Sequence, residues 1–235
     1  GMHWLLLGTL DSIEDFSFSL TKAYKNSYGM RNFWRFADSV SFLRPYLDTS
    51  FFGQWFYGLM VGQYGLLKAS EFVKKYYNYF YGSMKILADY YQYMQYDAEE
   101  FGDATFLKRS IKKDDLDSIG TIGMNLCELY NREEDKKSRE EIRSLIIELG
   151  SCIDRNIPRM KDGAFYRINT MWADDTFMSC PFLVRLGNIT GDNKYYDEAV
   201  KQLTLYTKRL FIREDGVYSH IFFPKLDRPN NVPWG

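Results

Sequence analysis

The strongest constraint on the fold is an internal repeat. Asp117 and Asp174 lie 57 residues apart, and the same offset relates Leu126 to Leu183, Leu129 to Leu186, Asp135 to Asp192 and Lys137 to Lys194. Each copy reads as an aspartate, an apolar stretch of helical length, a polar turn and an amphipathic stretch. Self-similarity at a fixed offset marks stacked supersecondary units. A helix apolar on all sides has to be covered by neighbours, whereas one with a single apolar stripe faces solvent. Alternating the two gives concentric helical hairpins, an α/α toroid or solenoid. Inner helices then run parallel, so equivalent aspartates at their starts converge on one face.

The rest of the chain supports an all-α class. Residues 51–67 are densely apolar with Gly53, Gly58, Gly62 and Gly65 interspersed, which implies close helix contact or backbone at a pocket. Residues 71–94 form a Tyr-rich helical stretch, and helical patterns recur at 117–130, 138–153, 176–186 and 193–210. No run sustains period-2 alternation, so little β-structure is expected. The reading is one domain, with an N-terminal helical segment over residues 1–50 and a partial toroid over 51–235. Asp162-Gly163 and Asp215-Gly216 mark turns in the connecting loops.

Composition narrows the function classes. Thirty basic and 31 acidic residues give a formal charge of −1, which provides no electrostatic footprint for nucleic acid or an anionic membrane. Cys127, Cys152 and Cys180 are an odd set without metal-ligand spacing, and His3 and His220 are the two histidines. Buried reduced thiols are expected rather than a disulfide framework or zinc site. Tyr, Phe and Trp make up 18% of the chain. They suit an aromatic helical core and also a cleft whose rings stack on sugar faces. The start of the chain is neither a signal peptide nor a membrane span, which favours the cytoplasm, with the periplasm as the alternative.

The segment Trp172-Ala173-Asp174-Asp175, opening an apolar run, carries the clearest chemistry. An ionised Asp is rarely buried unless paired, so an acid beside an aromatic wall is a candidate for proton transfer. Asp174 reads either as that acid or as a helix N-cap; Asp175 is the better cap, because adjacent helical residues point about 100° apart. Asp117 reads as the partner acid or as part of the capping cluster Asp114-Asp115-Leu116-Asp117. His220 is a pocket residue or a loop histidine satisfied by backbone. Trp55, Tyr57 and Trp172 are stacking rings or core.

These elements resemble glycoside hydrolase families 88 and 105, most closely the unsaturated rhamnogalacturonyl hydrolases. The matching pieces are Trp55-Phe56-Tyr57-Gly58, Leu116-Asp117, Pro158-Arg159 with Asp162-Gly163, Trp172-Ala173-Asp174, Pro181-Phe182-Leu183, Gly191-Asp192-Asn193-Lys194-Tyr195 and Gly216 with His220. Trp234-Gly235 resembles the first two residues of the family motif Trp-Gly-Arg-Gly-Asn-Gly-Trp. The resemblance implies an (α/α)6 barrel whose enzymes hydrate the C4–C5 double bond of the unsaturated uronic acid left by polysaccharide lyases. It implies Asp174 as general acid/base, Asp117 as the second essential carboxylate, and Tyr57, Trp55, Trp172, His220 and Trp234 as substrate-binding residues. It calls for no metal or organic cofactor. The expected partner is an unsaturated oligosaccharide, and a homo-oligomer is an assembly the sequence leaves open.

Two departures qualify the resemblance. Many members carry a histidine after the Gly-Phe-aromatic loop, where this chain has Tyr166-Arg167. Arg167 is suited to pairing bidentately with a substrate carboxylate. The family's later arginine and final hairpins are not in the sequence, so a truncated chain with a partial, inert carbohydrate cleft is the alternative reading. A sugar epimerase on the same toroid is disfavoured by the small number of histidines.

Overall fold

The computed structural model describes residues 34–37, 40–45, 57–102, 111–230 and 232–233. The chain forms two compact units, residues 1–112 and 113–235.

In the first unit, β1 (Trp34–Ala37) and β2 (Val40–Pro45) pair antiparallel, Trp34 opposite Pro45 and Phe36 opposite Leu43. The hairpin falls inside the segment 1–50 expected to be helical, the other residues of which lie outside the described ones. Helices α1 (Tyr57–Ala69) and α2 (Lys75–Phe101) pack through Leu59, Met60, Leu66, Tyr76, Phe80, Met84, Leu87 and Tyr91, all buried. Helix α2 stops at Gly102, whose φ of 69° is the left-handed conformation common just past a helix end.

The second unit contains both copies of the repeat. Helix α3 (Leu116–Tyr130) buries 12 of its 15 residues, and α4 (Lys136–Asn156) buries one stripe from Ile142 to Ile153. Helix α5 (Asp175–Thr190) again lies inside, and α6 (Lys194–Leu210) buries 5 of 17. Those proportions separate inner from outer helices as the repeat predicts.

The inner helices α3 and α5 run parallel and close together. A Cβ at Gly120 would lie 1.4 Å from the Met178 carbonyl oxygen, and one at Gly123 would lie 2.5 Å from the Phe182 ring. Further along, Arg185 Nε donates to Glu128 Oε1 at 2.8 Å, between residues separated by the repeat offset of 57. Glu128 also takes a 2.6 Å bond from Arg132. Against the pull of burial, these two guanidiniums hold its carboxyl below the ordinary range.

Short strands close the end of the unit where α3 and α5 begin. Strands β3 (Met171–Trp172), β6 (Ile221–Phe223) and β7 (Arg228–Pro229) form one antiparallel sheet in the order β3-β6-β7, with Trp172 opposite Ile221. Strands β4 (Phe211–Ile212) and β5 (Val217–Tyr218) form a separate hairpin after α6. Cys127, Cys152 and Cys180 are free and buried. Among the described residues, no helix is long and apolar enough to cross a membrane.

Candidate functional site

The parallel packing of α3 and α5 brings their first turns together, and with them three carboxylates. At α3 the cap is Asp115, whose side chain accepts from Ser118 N at 2.7 Å. Asp117, two residues on, is thereby left free to point elsewhere. At α5 the capping position is Asp174, which makes no side-chain cap bond. Asp175 does not cap either, contrary to expectation. Its side chain is fully buried and faces a cation.

That cation is Arg167. Its Nε donates to Asp175 Oδ1 at 3.1 Å and its Nη2 to the same oxygen at 2.7 Å. On its other edge, Nη1 donates to Asp117 Oδ2 at 3.1 Å and Nη2 to Asp117 Oδ1 at 2.6 Å. Asp174 Oδ2 is 3.5 Å from Nη2, while Asp174 Oδ1 is buried without a hydrogen-bond partner. One oxygen from each of Asp117, Asp174 and Asp175 lies within 4.8 Å of the other two. The guanidinium is the cation set among them. Its two edges are held by protein carboxylates, so its bidentate capacity is engaged within the chain rather than presented whole to a ligand.

Local backbone explains how Arg167 arrives there. Residues 167–170 form a tight turn with paired backbone bonds, Arg167 N to Thr170 O at 2.8 Å and Thr170 N to Arg167 O at 3.1 Å. Asn169 adopts φ of 60°, a conformation Asn tolerates better than most residues. The preceding loop is pinned by the outer helix α6. Gln202 donates to Gly163 O at 2.9 Å and accepts from Phe165 N at 2.9 Å. Tyr206, one turn later, donates to Phe165 O at 2.9 Å and lies 3.4 Å from Asp175 Oδ2. Gln202 and Tyr206 are buried, so each needs these partners.

The electrostatics follow from burial and crowding. Burial pushes the Asp117 carboxyl above its ordinary value despite Arg167, with Asp115 and Asp174 adding repulsion. Burial likewise pushes Asp175 up to about 6, partly offset by Arg167 and reinforced by Asp174 and Asp117. Burial opposes ionisation of Arg167, but its pairing with Asp175 and Asp117 prevails and holds the guanidinium pKa above its usual value. Burial and the neighbouring Asp175 raise the Tyr206 phenol. Burial therefore favours the protonated form of Asp117 and Asp175, the direction that acid/base chemistry by a carboxyl group requires.

One wall of the site is aromatic. Trp172 contacts His220 edge to face, with ring centroids 4.9 Å apart, and the Arg167 guanidinium lies 5.1 Å from the Trp172 ring. Trp172 Nε1 donates to Thr170 Oγ1 at 2.8 Å, and Ala173 N donates to His220 O at 2.8 Å. A small cavity of about 240 Å³ is lined by Ala173, Thr176, Leu203, Tyr206, Thr207, Leu210 and Tyr218.

Of the residues singled out in the sequence, Asp117, Arg167, Asp174, Trp172 and His220 come together here. Tyr57 opens α1 in the other unit. Trp55 and Trp234 lie outside the described residues. Sequence reasoning read Asp175 as a cap and did not single out Gln202 or Tyr206. The last two were signalled only as i, i+4 polar-capable residues on an outer helix.

Comparison with known proteins places this geometry in a family. The model of Glycosyl Hydrolase Family 88 matches residues 43–222. A solved structure described as a possible member of the GH105 family from Salmonella enterica serovar Paratyphi A is similar over 93% of this chain and 53% of its own. Its TM-score is 0.56 at 16% identity. A family 105 glycoside hydrolase from C. acetobutylicum is similar over 89% of this chain and 49% of its own, with TM-score 0.54 and 18% identity. A possible GH105 member from Klebsiella pneumoniae gives 96%, 54%, 0.57 and 15%. The chain thus spans about half the length of these structures. At such identities the likeness speaks to fold, a partial (α/α)6-barrel-type helical toroid. The family match extends over most of the sequence, including both copies of the repeat and the carboxylate cluster: the chain belongs to Glycosyl Hydrolase Family 88.

Proposed function

We propose that the chain acts in hydrating the C4–C5 double bond of an unsaturated uronic acid at the non-reducing end of lyase-generated oligosaccharides of the rhamnogalacturonan or pectin type. The observation that carries this reading is the meeting of Asp117 and Asp174 at Arg167, beside the Trp172–His220 wall. Hydration of an enol ether needs one group that delivers a proton to C4 and later accepts one from water adding at C5. Asp174, with an unpartnered oxygen, takes that role. Asp117 is the neighbouring carboxylate whose charge state adjusts the donor. Water addition leaves a hemiketal at C5; it opens, and the glycosidic bond breaks. Ordinary two-carboxylate glycoside hydrolysis differs, because there the proton goes to the leaving oxygen.

Trp172 supplies a ring face for the sugar, and His220 the polar edge beside it. Arg167 contributes positive charge near the uronate while remaining anchored to the protein. Tyr57, Trp55 and Trp234 are further proposed substrate-binding residues. The test follows the ultraviolet absorbance of the conjugated uronate in lyase-digested rhamnogalacturonan. Loss of absorbance with the wild-type chain, reduced about 10²- to 10⁴-fold in Asp174→Asn, supports the reading. Binding of the same oligosaccharide without any loss of absorbance refutes it and establishes an inert carbohydrate cleft.

A further inference from the structure

Asp175 has no solvent-exposed side-chain surface, so no substrate atom reaches it. It nevertheless holds one edge of Arg167, through Nε and Nη2, while Asp117 holds the other through Nη1 and Nη2. A single guanidinium is therefore shared between a carboxylate sealed in the core and one open to the cleft. The charged and titratable groups around it are Asp115 and Asp117 at the start of α3, Arg167 in the loop, Asp174 and Asp175 at the start of α5, Tyr206 on α6, and His220 across Trp172. Of these, Arg167 is the permanent cation.

The charge balance gives Asp175 a role. When Asp175 is ionised, the charge of Arg167 is matched from within the core. Asp117 and Asp174 are then left on the open side as a like-charged pair, which favours a shared proton. Without Asp175, the whole field of Arg167 falls on Asp117 and holds it ionised. We infer that Asp175 is a positioning residue that orients Arg167 and matches its charge, so that the open pair Asp117–Asp174 keeps a proton available. The consequence for hydration rests on the proposed function; the coupling itself does not. Tyr206 supports the arrangement from a second element, its hydroxyl bonded to Phe165 O and close to Asp175 Oδ2.

The test is a carboxyl ¹³C NMR titration of the full chain, without substrate, from about pH 3 to about pH 9. The Asp117 signal is assigned with Asp117→Asn. The wild-type Asp117 curve is expected to show a second inflection near pH 6, where Asp175 titrates. In Asp175→Asn that inflection disappears and the Asp117 midpoint falls by about one pH unit or more. A wild-type curve with no second inflection overturns the inference, and so does an unmoved midpoint in a folded Asp175→Asn chain. If that variant does not fold, the wild-type curve decides. Because no substrate is present, an inactive enzyme leaves this result untouched, and an unmoved titration leaves the hydrolase reading standing.

Discussion

Replacing Arg167 by Met keeps an unbranched apolar stem and removes the guanidinium with its charge, and the structure sets both the size of the effect and its pH dependence. The wild-type Asp175 carboxyl titrates at about 6 in the folded chain, against about 3.9 when unfolded. A folded pKa raised above the unfolded one means that the native state binds the extra proton. The stabilisation from that proton is complete below about pH 3.9 and is lost as pH rises through about 6. At about 1.4 kcal/mol per unit, ionising Asp175 already costs about 3 kcal/mol at neutral pH with Arg167 in place. Removing Arg167 takes away the lowering influence and leaves Asp175 and Asp117 facing each other. At pH 7.5 the expected loss is about 3–5 kcal/mol, the range for a broken buried pair. At pH 5 Asp175 carries its proton, and the loss shrinks to about 1–2 kcal/mol of hydrogen bonding and packing. Urea unfolding followed by far-ultraviolet circular dichroism at both pH values measures the difference. Glu128, whose folded pKa is lowered, loses stability in acid, but it does so in both proteins and cancels from the comparison. Equal losses at the two pH values, or a larger loss in acid, would refute the electrostatic account of the cluster.

Two glycines separate helix propensity from packing. Gly120→Ala should destabilise by more than about 2 kcal/mol in thermal unfolding, because its methyl meets the backbone oxygen of Met178. Gly65→Ala, with open space around it, should stabilise by about 0.5–1 kcal/mol; the same sign at both sites would contradict the inner-helix packing. A double-mutant cycle on Glu128→Gln and Arg185→Met should yield a coupling of about 1 kcal/mol that weakens in high salt. Zero coupling at low salt would mean that this half-buried pair does not tie α3 to α5.

The repeat was legible because it depends on spacing alone. Asp117, Asp174 and the inner and outer helices all follow from a 57-residue offset plus the requirement that an all-apolar helix be covered. Asp175 was misread because the rule that neighbours on a helix diverge applies inside the helix, and Asp174 lies before its first turn. The deciding partner, Arg167, reaches back across a turn set by Asn169, and nothing local in the sequence announces that geometry. Of the glycines in residues 51–67, Gly65 has open space around it, while close helix contact occurs at Gly120 and Gly123. The β1–β2 hairpin did carry a signal: Trp34 and Phe36 alternate with Arg35, and Val40 and Phe42 flank Ser41 around Asp38-Ser39. The alternation was too short to stand out against the helical remainder.

The toroid architecture also explains why acids accumulate where they do. Helices α3 and α5 are parallel, so the positive ends of both macrodipoles point at the same place. A carboxylate in a helix's first turn gains about 0.3–1 kcal/mol from that field, and more when partly buried. Asp115 uses the field as a cap, while α5 begins with no side-chain cap. The dipole field of α5 and the Arg167 cation together favour keeping Asp174 and Asp175 there. Acids at such a junction are tolerated by the fold before any chemistry is asked of them. Burial at the junction is asymmetric: Asp175 is sealed in against the cation, whereas Asp117 and Asp174 remain partly open to solvent.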